Sequence, residues 1–516
     1  MNRETALAKI RNTDQWDVIV IGGGASGLGI ALESTSRGYN TLLVEQSDFA
    51  KSTSSKSTKL VHGGVRYLAQ GNILLVREAS VERGILSRNA PHLVKNQTFI
   101  VPVYTRWSTL KYTLGLKLYD WISGKLSLGK SVYISRKEVL KKLPGVNSRK
   151  LRGGVVYHDG QFDDARLAIN LAQTIFDKGG VAINYIQVQS LIKENDKAAG
   201  INVIDIETNE RYPIKSKVVI NATGVFTDDI LSMDKPAAKK TISASQGIHL
   251  VVDKKFFPGN SALMIPETSD GRVLFIVPWH NKLLMGTTDT PVTTISLEPR
   301  ALESEIEFIL NTAKDYLTDT PARKDVLSIF AGLRPLAAPE EGKATKEISR
   351  SHKIIVSDSM LFSMLGGKWT TYRRMGEDML DEVEEKMKWK HVDSATSSLH
   401  IHGYNTSAAP DDMLSFYGSD EEGLKEILPM STEASLSEKL MISRPQIIWA
   451  IREEMARTTE DVLSRRTRSL LLDAKESIRI APLVAAIMAQ EMNKDETWSE
   501  QQVRSFRDVA ENYVLR

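Results

Sequence analysis

The glycines near the N-terminus are spaced to hold an anion. Gly22, Gly24 and Gly27 form a G-x-G-x-x-G motif between a short apolar run at 16–21, which predicts a buried parallel strand, and a helical pattern that starts at 28. The first glycine of such a motif permits a tight turn, the second lets backbone N–H groups approach phosphates, and the third lets helix and strand pack closely. Because the N-terminus of the helix carries partial positive charge, the motif predicts a pyrophosphate site.

A second strand and an acid complete a dinucleotide-binding unit. The run 41–44 predicts a strand, and it ends in Glu45, about 20 residues past the motif, where a carboxylate accepts hydrogen bonds from an adenosine ribose. The glycines alone are compatible with an ordinary glycine-rich turn. Strand, glycines, helix, strand and acid in this order favour dinucleotide binding, without separating FAD from NAD.

Two later segments favour FAD. Residues 217–224 predict a strand that ends in a turn of small residues, and 360–368 predict a strand that meets glycines before the helical stretch 370–386. Flavoproteins of the glutathione-reductase type return to the nucleotide in this way, so that the late helix points its N-terminus at the flavin pyrimidine. An ordinary strand-to-helix turn is the alternative for either segment taken alone. Together they predict an FAD-dependent oxidoreductase.

Composition limits the class of protein. A chain of 516 residues predicts more than one domain, and 41% apolar with 25% charged residues is typical of soluble globular proteins. The net charge of +3 gives no indication of a nucleic-acid partner. The chain has no cysteine, which excludes disulfides, thiolate metal sites and a flavin attached through sulfur, so we expect non-covalent FAD and no metal. A polar N-terminus and the lack of a long apolar run predict a cytoplasmic protein with at most peripheral membrane contact.

A series of short blocks resembles one flavoprotein family. Residues 53–68 read TSSKSTKLVHGGVRYL, a pattern similar to that of the FAD-dependent, quinone-linked glycerol-3-phosphate dehydrogenases. The resemblance continues, in family order, at 157–167, 221–224, 247–252, 278–279, 286–289, 332–336 and 366–373. One departure is Ile248, where the family pattern has serine before the histidine. From 391 onward the resemblance is limited to helical character.

The resemblance implies an α/β fold of the glutathione-reductase or D-amino-acid-oxidase type, in which a Rossmann FAD-binding domain carries an antiparallel β substrate domain and a helical C-terminal domain. We expect a discontinuous FAD-binding domain at 1–95, 150–230 and 335–390, an inserted segment at 96–149, a substrate domain at 235–330 and a helical domain at 391–516. The substrate domain contains a predicted hairpin, 273–279 against 283–287. Helix-period apolar faces run through 436–468 and 478–491.

The resemblance also implies a reaction, the oxidation of sn-glycerol 3-phosphate to dihydroxyacetone phosphate with hydride transfer to FAD and electrons passed to quinone. Arg66 and Arg350 would bind the phosphate with Tyr67 beside them, and Arg334 would lie near the C2 oxygen. Arginine suits this role because its planar fork binds phosphate through two hydrogen bonds.

Two further residues complete the predicted chemistry. His249 is the favoured general base, since an unperturbed pKa of about 6.5 suits proton removal near neutral pH. Lys368 would bind substrate and stabilise negative charge on the flavin. Without the resemblance, His249 alone is more typical of a structural histidine. The predicted cofactor-binding residues are Gly22, Gly24, Ser26, Gly27, Glu45, Ser54, Ser55, Lys59, His62, Gly63, Ala222, Thr223, Gly224, Gly366, Gly367, Lys368, Trp369 and Thr370.

Other functions stay open at this point. The same fold serves glycerol-3-phosphate oxidases, which use oxygen, and FAD-dependent oxidoreductases of amino acids or hydroxy acids. A flavin-binding scaffold without turnover is an alternative of a different class. The density of cations disfavours the scaffold, and an NAD dehydrogenase would leave Gly366 and Gly367 unexplained.

One segment has a possible membrane role. Trp107, Leu110, Leu114, Leu118 and Trp121 recur at three- and four-residue steps on one helix face, with lysines beside it. A core-facing helix is one interpretation. Tryptophans at both ends of an apolar stripe also suit a helix lying in a membrane interface. The family resemblance favours the second interpretation and implies a peripheral protein on the inner face of the cytoplasmic membrane, with a homodimer left open.

Overall fold

The computed structural model describes residues 1–65, 72–237, 239–338, 352–407, 414–427 and 435–516. The helices are α1 (Arg3–Arg11), α2 (Ala25–Ser36), α3 (Ile73–Asn89), α4 (Arg106–Ser123), α5 (Arg136–Lys142), α6 (Asp164–Asp177), α7 (Thr227–Asp234), α8 (Glu303–Tyr316), α9 (Tyr372–Met387), α10 (Glu421–Ile427), α11 (Arg444–Glu453), α12 (Ser469–Leu472), α13 (Ala474–Glu491) and α14 (Glu496–Ala510). The strands are β1 (Trp16–Ile21), β2 (Thr41–Val44), β3 (Leu60–Val61), β4 (Val94–Val103), β5 (Val132–Ser135), β6 (Gly153–Phe162), β7 (Val181–Ile183), β8 (Ile186–Glu194), β9 (Lys197–Asp205), β10 (Arg211–Asn221), β11 (Ile242–Asp253), β12 (Ala262–Ile265), β13 (Leu274–Trp279), β14 (Lys282–Gly286), β15 (Thr290–Val292), β16 (Val326–Ala337), β17 (Lys353–Val356), β18 (Leu361–Leu365), β19 (Ser435–Ser437) and β20 (Ile442–Ser443).

The first sheet carries the predicted nucleotide unit. Its order is β17-β18-β10-β1-β2-β7, and the neighbours from β18 to β7 run parallel, while β8 and β9 extend β10 as a hairpin. Strand β1 is almost wholly buried, as expected for a parallel strand covered by helices on both faces. The predicted strand–glycine–helix–strand order, β1 to β2, is confirmed. The predicted late return through 360–368 is confirmed as well, because β18 lies beside β10 in this sheet.

The second sheet is mainly antiparallel and larger than expected. Its order is β15-β11-β14-β13-β12-β4-β6-β3, with β16 beside β11 and β5 beside β6. The predicted hairpin is confirmed in β13 and β14, whose two-residue turn has positive φ at both His280 and Asn281. Strands β4, β5 and β6 lie outside the range 235–330, so the sheet takes in chain that the sequence assigned to the inserted segment and to the FAD-binding domain.

The C-terminal domain is helical, as predicted, with one interruption. Helix α13 confirms the apolar face expected at 478–491. The continuous face expected over 436–468 is wrong in its first part, because Leu436 lies in the small β19–β20 hairpin. Helix α11 follows, and a π-helical turn at Asp461–Arg466 comes after it.

That π-helical turn attaches the C-terminal domain to the first sheet. Arg466 donates to both carboxylate oxygens of Asp48 (2.6 and 2.8 Å), in the loop that follows β2, and Arg465 donates to the same carboxylate. All three side chains are buried. Although burial acts to raise it, the charges of Arg466 and Arg465 hold the pKa of Asp48 well below its usual range. The loop beyond β2 is thus fixed by residues from the far end of the chain.

Helix α4 contradicts the core-facing interpretation of its apolar stripe. Trp107, Leu110, Leu114, Leu118 and Trp121 are 72, 51, 59, 42 and 78% exposed. The opposite side of the helix packs on the body of the protein. No helix in the described ranges combines the length and the apolar character needed to cross a bilayer.

Candidate active site

A cavity of about 700 Å³ lies where the two sheets meet. Its walls are the turns that follow β1, β2, β10 and β18 on one side, and residues of β11, β13 and β16 with the segment after β14 on the other. In open α/β sheets, ligands bind beyond the carboxyl ends of the strands. A volume of this size suits a cofactor together with a small substrate.

The glycine motif shapes one end of the cavity. Gly22 has φ of +112°, and a Cβ there would lie 2.7 Å from the carbonyl oxygen of Ala222, so no larger residue fits. A Cβ on Gly27 would collide with the carbonyl of Gly22, which confirms the close helix–strand packing predicted for the third glycine. Gly24 caps α2 without a side-chain hydrogen bond, and it lines the cavity together with Ser26. The N-terminus of α2 therefore offers backbone amides to an anion, as a dinucleotide pyrophosphate requires.

Glu45 is oriented by the backbone around it. It lines the cavity at the end of β2, where its carboxylate accepts hydrogen bonds from the amides of Gly23 (2.6 Å) and Ser47 (2.8 Å). Burial raises its pKa above the ordinary value. This position at the end of β2 is the one from which an acidic residue reaches an adenosine ribose in such folds.

The turn between β18 and α9 brings a second set of backbone groups to the cavity. Gly366 and Gly367 have φ of 69° and 92°, so the chain turns sharply between β18 and the 3₁₀ turn Trp369–Thr371 that precedes α9. The indole of Trp369 donates to the carbonyl of Ser54 (2.7 Å) and ties this turn to the loop beyond β2. Lys368 and Thr370, on either side of Trp369 in the chain, also line the cavity.

His249 lies at the other end of the cavity, on β11. Its Nε2 is 2.9 Å from the hydroxyl of Thr58, and its ring stacks on Phe330 at 5.0 Å between centroids. The Nδ1 atom is buried and has no hydrogen-bond partner within the described part of the chain. Burial lowers the pKa of His249 well below 6.5, and the positive charges of Lys59 and Arg334 lower it further. The expectation that His249 titrates near neutral pH was therefore wrong, and the ring is neutral at pH 7.

Arg334 faces the same end of the cavity and is held by the segment after β14. One guanidinium nitrogen donates to the carbonyl of Thr288 (3.0 Å) and to the hydroxyl of Thr287 (3.2 Å), while another lies 3.4 Å from Asp289. The side chain of Arg334 is 35% exposed. Since Gly286 pairs with His249 across the sheet, the same segment contacts both predicted catalytic residues.

A buried carboxylate fixes the segment after β14 through hydrogen bonds. Glu305, at the start of α8, accepts hydrogen bonds from the hydroxyls of Thr288 (2.8 Å) and Thr290 (2.7 Å) and from the amide of Gln246 (2.8 Å). The hydroxyl of Thr288 in turn accepts from the amide of Ile248, next to His249. Sequence reasoning missed Glu305, because nothing in the amphipathic pattern of α8 marks it as different from its charged neighbours.

Comparisons with known proteins agree with this geometry. The family described as "FAD dependent oxidoreductase" matches residues 17–373, and the "C-terminal domain of alpha-glycerophosphate oxidase" matches 364–502. Mitochondrial glycerol-3-phosphate dehydrogenase of Bos taurus is 36% identical, over 98% of this chain and 74% of that protein. The corresponding protein of Schizosaccharomyces pombe is 33% identical, over 98% and 89%. The chain belongs to the FAD-dependent glycerol-3-phosphate dehydrogenase family.

Solved structures support the fold of this family member. The glycerol-3-phosphate dehydrogenase of Bacillus halodurans, solved in complex with FAD, has a TM-score of 0.81 at 28% identity, covering 99% of this chain and 97% of that one. The L-α-glycerophosphate oxidase of Mycoplasma pneumoniae, with FAD bound, reaches 0.58 at 19% identity, over 74% and 97%, and shows the fold alone. The protein is an FAD-dependent oxidoreductase with a D-amino-acid-oxidase-type FAD-binding fold. The glycine cradle and the amides at the N-terminus of α2 fit that cofactor.

The structure brings most of the predicted site residues of the dehydrogenase together. Those that line the one cavity are Gly22, Gly24, Ser26, Glu45, Ser54, His62, Ala222, Thr223, Gly224, His249, Arg334, Gly366, Gly367, Lys368, Trp369 and Thr370. Four others, Gly27, Ser55, Lys59 and Gly63, lie behind the wall. Arg66, Tyr67 and Arg350 lie outside the described residues.

The side chain of Lys59 forms a buried ion pair behind the cavity wall. Its ammonium group is fully buried, 2.7 Å from both carboxylate oxygens of Asp164, and it lies 5.3 Å from the ring centre of Trp279. The carboxylate of Asp164 also accepts from the hydroxyl of Ser57. A buried, paired ammonium cannot turn into the cavity without leaving Asp164 unneutralised, so in this structure the side chain of Lys59 supports the wall.

Proposed function

We propose that this enzyme oxidises sn-glycerol 3-phosphate to dihydroxyacetone phosphate and passes the electrons to a quinone. The observation that carries the proposal is the convergence of His249, Arg334 and Lys368 on the cavity that the dinucleotide motif opens into. A phosphorylated alcohol needs cations for its phosphate and an acceptor for its hydroxyl proton, and this end of the cavity supplies both kinds of group.

The substrate is held at its phosphate and at its C2 oxygen in this proposal. Arg66 and Arg350, with Tyr67, bind the phosphate, as the family resemblance implies for residues outside the described ranges. Arg334 lies at the C2 oxygen, where Thr287, Thr288 and Asp289 hold its guanidinium. Lys368 stays close to the flavin ring and stabilises negative charge there.

His249 accepts the C2 proton. A neutral imidazole has one nitrogen free to accept a hydrogen bond, and a pKa well below 6.5 keeps the ring of His249 neutral near pH 7. The same low pKa means that the ring passes the proton on to water instead of retaining it. FAD supplies the hydride acceptor when bound. The glycines and backbone amides at the N-terminus of α2 and in the turn before α9 would hold the cofactor in this cavity.

The apolar part of the cavity wall supports quinone as the electron acceptor. Val65, Phe99, Tyr157, Met264 and Phe275 line it and belong to one apolar cluster. That cluster also contains Leu116, on the inner side of α4. An apolar wall that extends from the flavin site to the helix with the exposed stripe suits a lipid-soluble acceptor.

The exposed stripe of α4 supports a peripheral position on the membrane. The first turn of α3, which packs on α4 through Val76 and Tyr119, adds Ile73 and Leu74 at 51 and 78% exposure. Contiguous exposed apolar side chains of this size mark interaction sites. The proposed location is the inner face of the cytoplasmic membrane, and sedimentation of the pure enzyme would decide whether it is a homodimer.

The first test is anaerobic titration of the purified flavoprotein with glycerol 3-phosphate, followed at the flavin absorbance. We expect bleaching, and we expect Arg334→Ala to weaken substrate affinity by about 10- to 150-fold, the value of a hydrogen bond to a charged group. Arg323→Ala is the matched control, since Arg323 lies on the surface before the same strand and pairs with Glu303. A protein that keeps its flavin colour on titration contradicts the substrate.

The acceptor and the membrane position are tested separately. Reoxidation by a soluble quinone without peroxide supports the dehydrogenase, whereas fast reoxidation by air with peroxide release identifies an oxidase. Replacing Trp107 and Trp121 together by serine should weaken binding to phospholipid vesicles while turnover with a soluble quinone stays unchanged. Unchanged vesicle binding would contradict the role of the stripe.

A further inference from the structure

Tyr119 lies on the inner side of α4, opposite the exposed stripe, and is only 1% exposed. Its hydroxyl oxygen accepts hydrogen bonds from the backbone amide of Gly63 (2.9 Å) and from the guanidinium of Arg83 (2.8 Å). The hydroxyl proton is donated to the carboxylate of Asp159 (3.1 Å). One phenol therefore joins the surface helix, α3, β6 and the turn after β3.

The network around Tyr119 is buried and contains an ion pair. Arg83 donates to Asp159 at 2.6 Å, and the amide of Gly63 also reaches the same carboxylate oxygen at 3.2 Å. Burial, reinforced by the charge of Asp159, raises the pKa of Tyr119 well above 10. The phenol therefore stays protonated and can accept and donate at the same time, as this geometry requires.

The turn that Tyr119 holds is part of the cavity wall. Gly63 lies between His62 and Gly64, both of which line the cavity, and Gly64 has φ of 78°. A Cβ on Gly63 would overlap the Tyr119 hydroxyl and the Ser80 hydroxyl, so the turn is packed directly against α3 and α4. Any shift of the Tyr119 oxygen must move the Gly63 amide and, with it, both cavity-lining neighbours.

Helix α3 carries a second tie in the same region. Glu82, the neighbour of Arg83, accepts two hydrogen bonds from Arg373 (2.6 and 2.8 Å), in the first turn of α9. Adjacent residues of α3 are thus bonded to the turn after β3, which lines the cavity, and to helix α9, which follows the cavity-lining residues 366–370. Helix α4 is connected to α9 through α3, on which it packs, and to the turn after β3 through Tyr119.

We propose that Tyr119 is a positioning residue that fixes the turn 62–64 against the flavin. The position of the surface helix α4 on the protein therefore affects the geometry of the cofactor site. The inference rests on the proposed function only for the rate of substrate oxidation. The position of the turn and its effect on the bound flavin are independent of the substrate.

The test compares Tyr119→Phe with Tyr112→Phe in the FAD-loaded enzyme. Tyr112 lies on the same helix and packs on the neighbouring apolar cluster, and its hydroxyl makes no hydrogen bond within the described residues, so the control removes the same atom. Tyr119→Phe loses all three hydrogen bonds of the phenol, and loss of the one from the Gly63 amide should raise amide hydrogen exchange in a peptide covering 60–65 by about 2- to 10-fold in this variant alone. The same variant should shift the visible absorption maximum of the bound flavin and lower the rate of flavin reduction more than substrate affinity.

The proposal is overturned if Tyr119→Phe matches Tyr112→Phe in amide hydrogen exchange of 60–65, in the flavin spectrum and in the rate of flavin reduction. If Tyr119→Phe does not fold, Leu116→Val replaces it, because it removes one methylene beneath α4 and leaves every polar contact in place. Faster exchange in 60–65 in that variant supports the coupling, and wild-type exchange overturns it. If glycerol 3-phosphate proves not to be the substrate, the exchange and spectral differences still decide the role of Tyr119.

Discussion

The buried pair of Lys59 and Asp164 gives the sharpest prediction for stability. Lys59→Met keeps the length and apolar character of the side chain but removes the ammonium group between Asp164 and the ring of Trp279. Asp164 keeps only the hydrogen bonds from Ser57 and from the amide of Ala165. Burial raises the pKa of Asp164 even with Lys59 beside it, so without Lys59 the carboxyl will take up a proton.

Protonation limits how much stability the variant loses. Breaking a buried pair by removing one partner costs about 3 to 5 kcal/mol. Keeping a carboxyl of ordinary pKa, about 3.9, neutral costs about 4 kcal/mol at pH 7 and about 2 kcal/mol at pH 5.5, at about 1.4 kcal/mol per pH unit. A folded-state pKa raised above the unfolded value contributes stability that is present at low pH and lost as the pH rises. Lys59→Met should therefore be destabilised by up to about 4 kcal/mol at pH 7 and by about half as much at pH 5.5.

The assay is thermal unfolding of the FAD-loaded enzyme at the two pH values. The matched control is Lys215→Met, since Lys215 pairs with Glu194 at 2.9 Å but both side chains are more than half exposed. Exposed pairs contribute little, so the control should melt like the wild type at both pH values. The double variant Lys59→Met/Asp164→Leu should recover most of the loss, because an apolar pair replaces the ionic one.

Two results would refute this reasoning. If Lys59→Met has the same Tm as the wild type, Asp164 is neutral in the wild-type enzyme and the pair carries no charge. A loss of stability that stays constant between pH 5.5 and 7 would mean that the cost is lost packing, with no contribution from an unneutralised carboxylate.

Two further predictions concern the pH dependence of stability and the binding of substrate at Arg334. Although burial opposes it, hydrogen bonds to Asp177 (2.7 Å) and Asp420 (3.0 Å) raise the pKa of His402 to about 9, so its stabilisation is complete below pH 6.5 and lost as the pH rises through 9. His402→Gln should therefore lower the free energy of unfolding at pH 6, by about 1 to 2 kcal/mol after allowing for screening of a side chain that is one quarter exposed, and should change it little at pH 10. Thermal melts at the two pH values measure this, and equal losses at both would contradict the charged state. Glu305→Gln replaces one of the two accepting carboxylate oxygens by an NH2 donor, and the loosened segment should raise KM through Arg334 by about 10-fold with FAD content unchanged. A KM equal to that of the wild type would show that the segment holds without the carboxylate.

The parts of the fold that the sequence predicted well are local. The β1–α2–β2 unit follows from a strand, three glycines and a helix within thirty residues, where each position has its own steric reason. The β13–β14 hairpin follows from two apolar runs around His280 and Asn281. The stripe of α4 was readable as one face of a helix, but its exposure was not, because periodicity gives a face without saying what the face meets.

The parts that the sequence did not predict depend on distant contacts. Lys59 stood in a family motif and was assigned to the cofactor, yet its partner Asp164 lies 105 residues away. Tyr119 sits on an otherwise amphipathic helix and meets Gly63, 56 residues earlier. The expected neutral-pH titration of His249 failed for the same reason, since burial beneath Phe330 and the nearby cations are tertiary facts. The helix expected over 436–468 missed the hairpin and the π-helical turn that pack on other elements.

The clamp of Arg465 and Arg466 on Asp48 has a consequence for how the holoenzyme is made. The loop that follows Glu45 leaves the ribosome 417 residues before the first of the two arginines that fix it. At about 5 to 20 residues per second, that is a delay of about 20 to 80 seconds. During this time the nascent chain carries its glycine motif and its acid, but the loop beside them lacks its partners. Stable capture of FAD therefore belongs to the end of translation or after it, and a ribosome-bound chain stalled before residue 465 should bind the flavin far more weakly than the released protein.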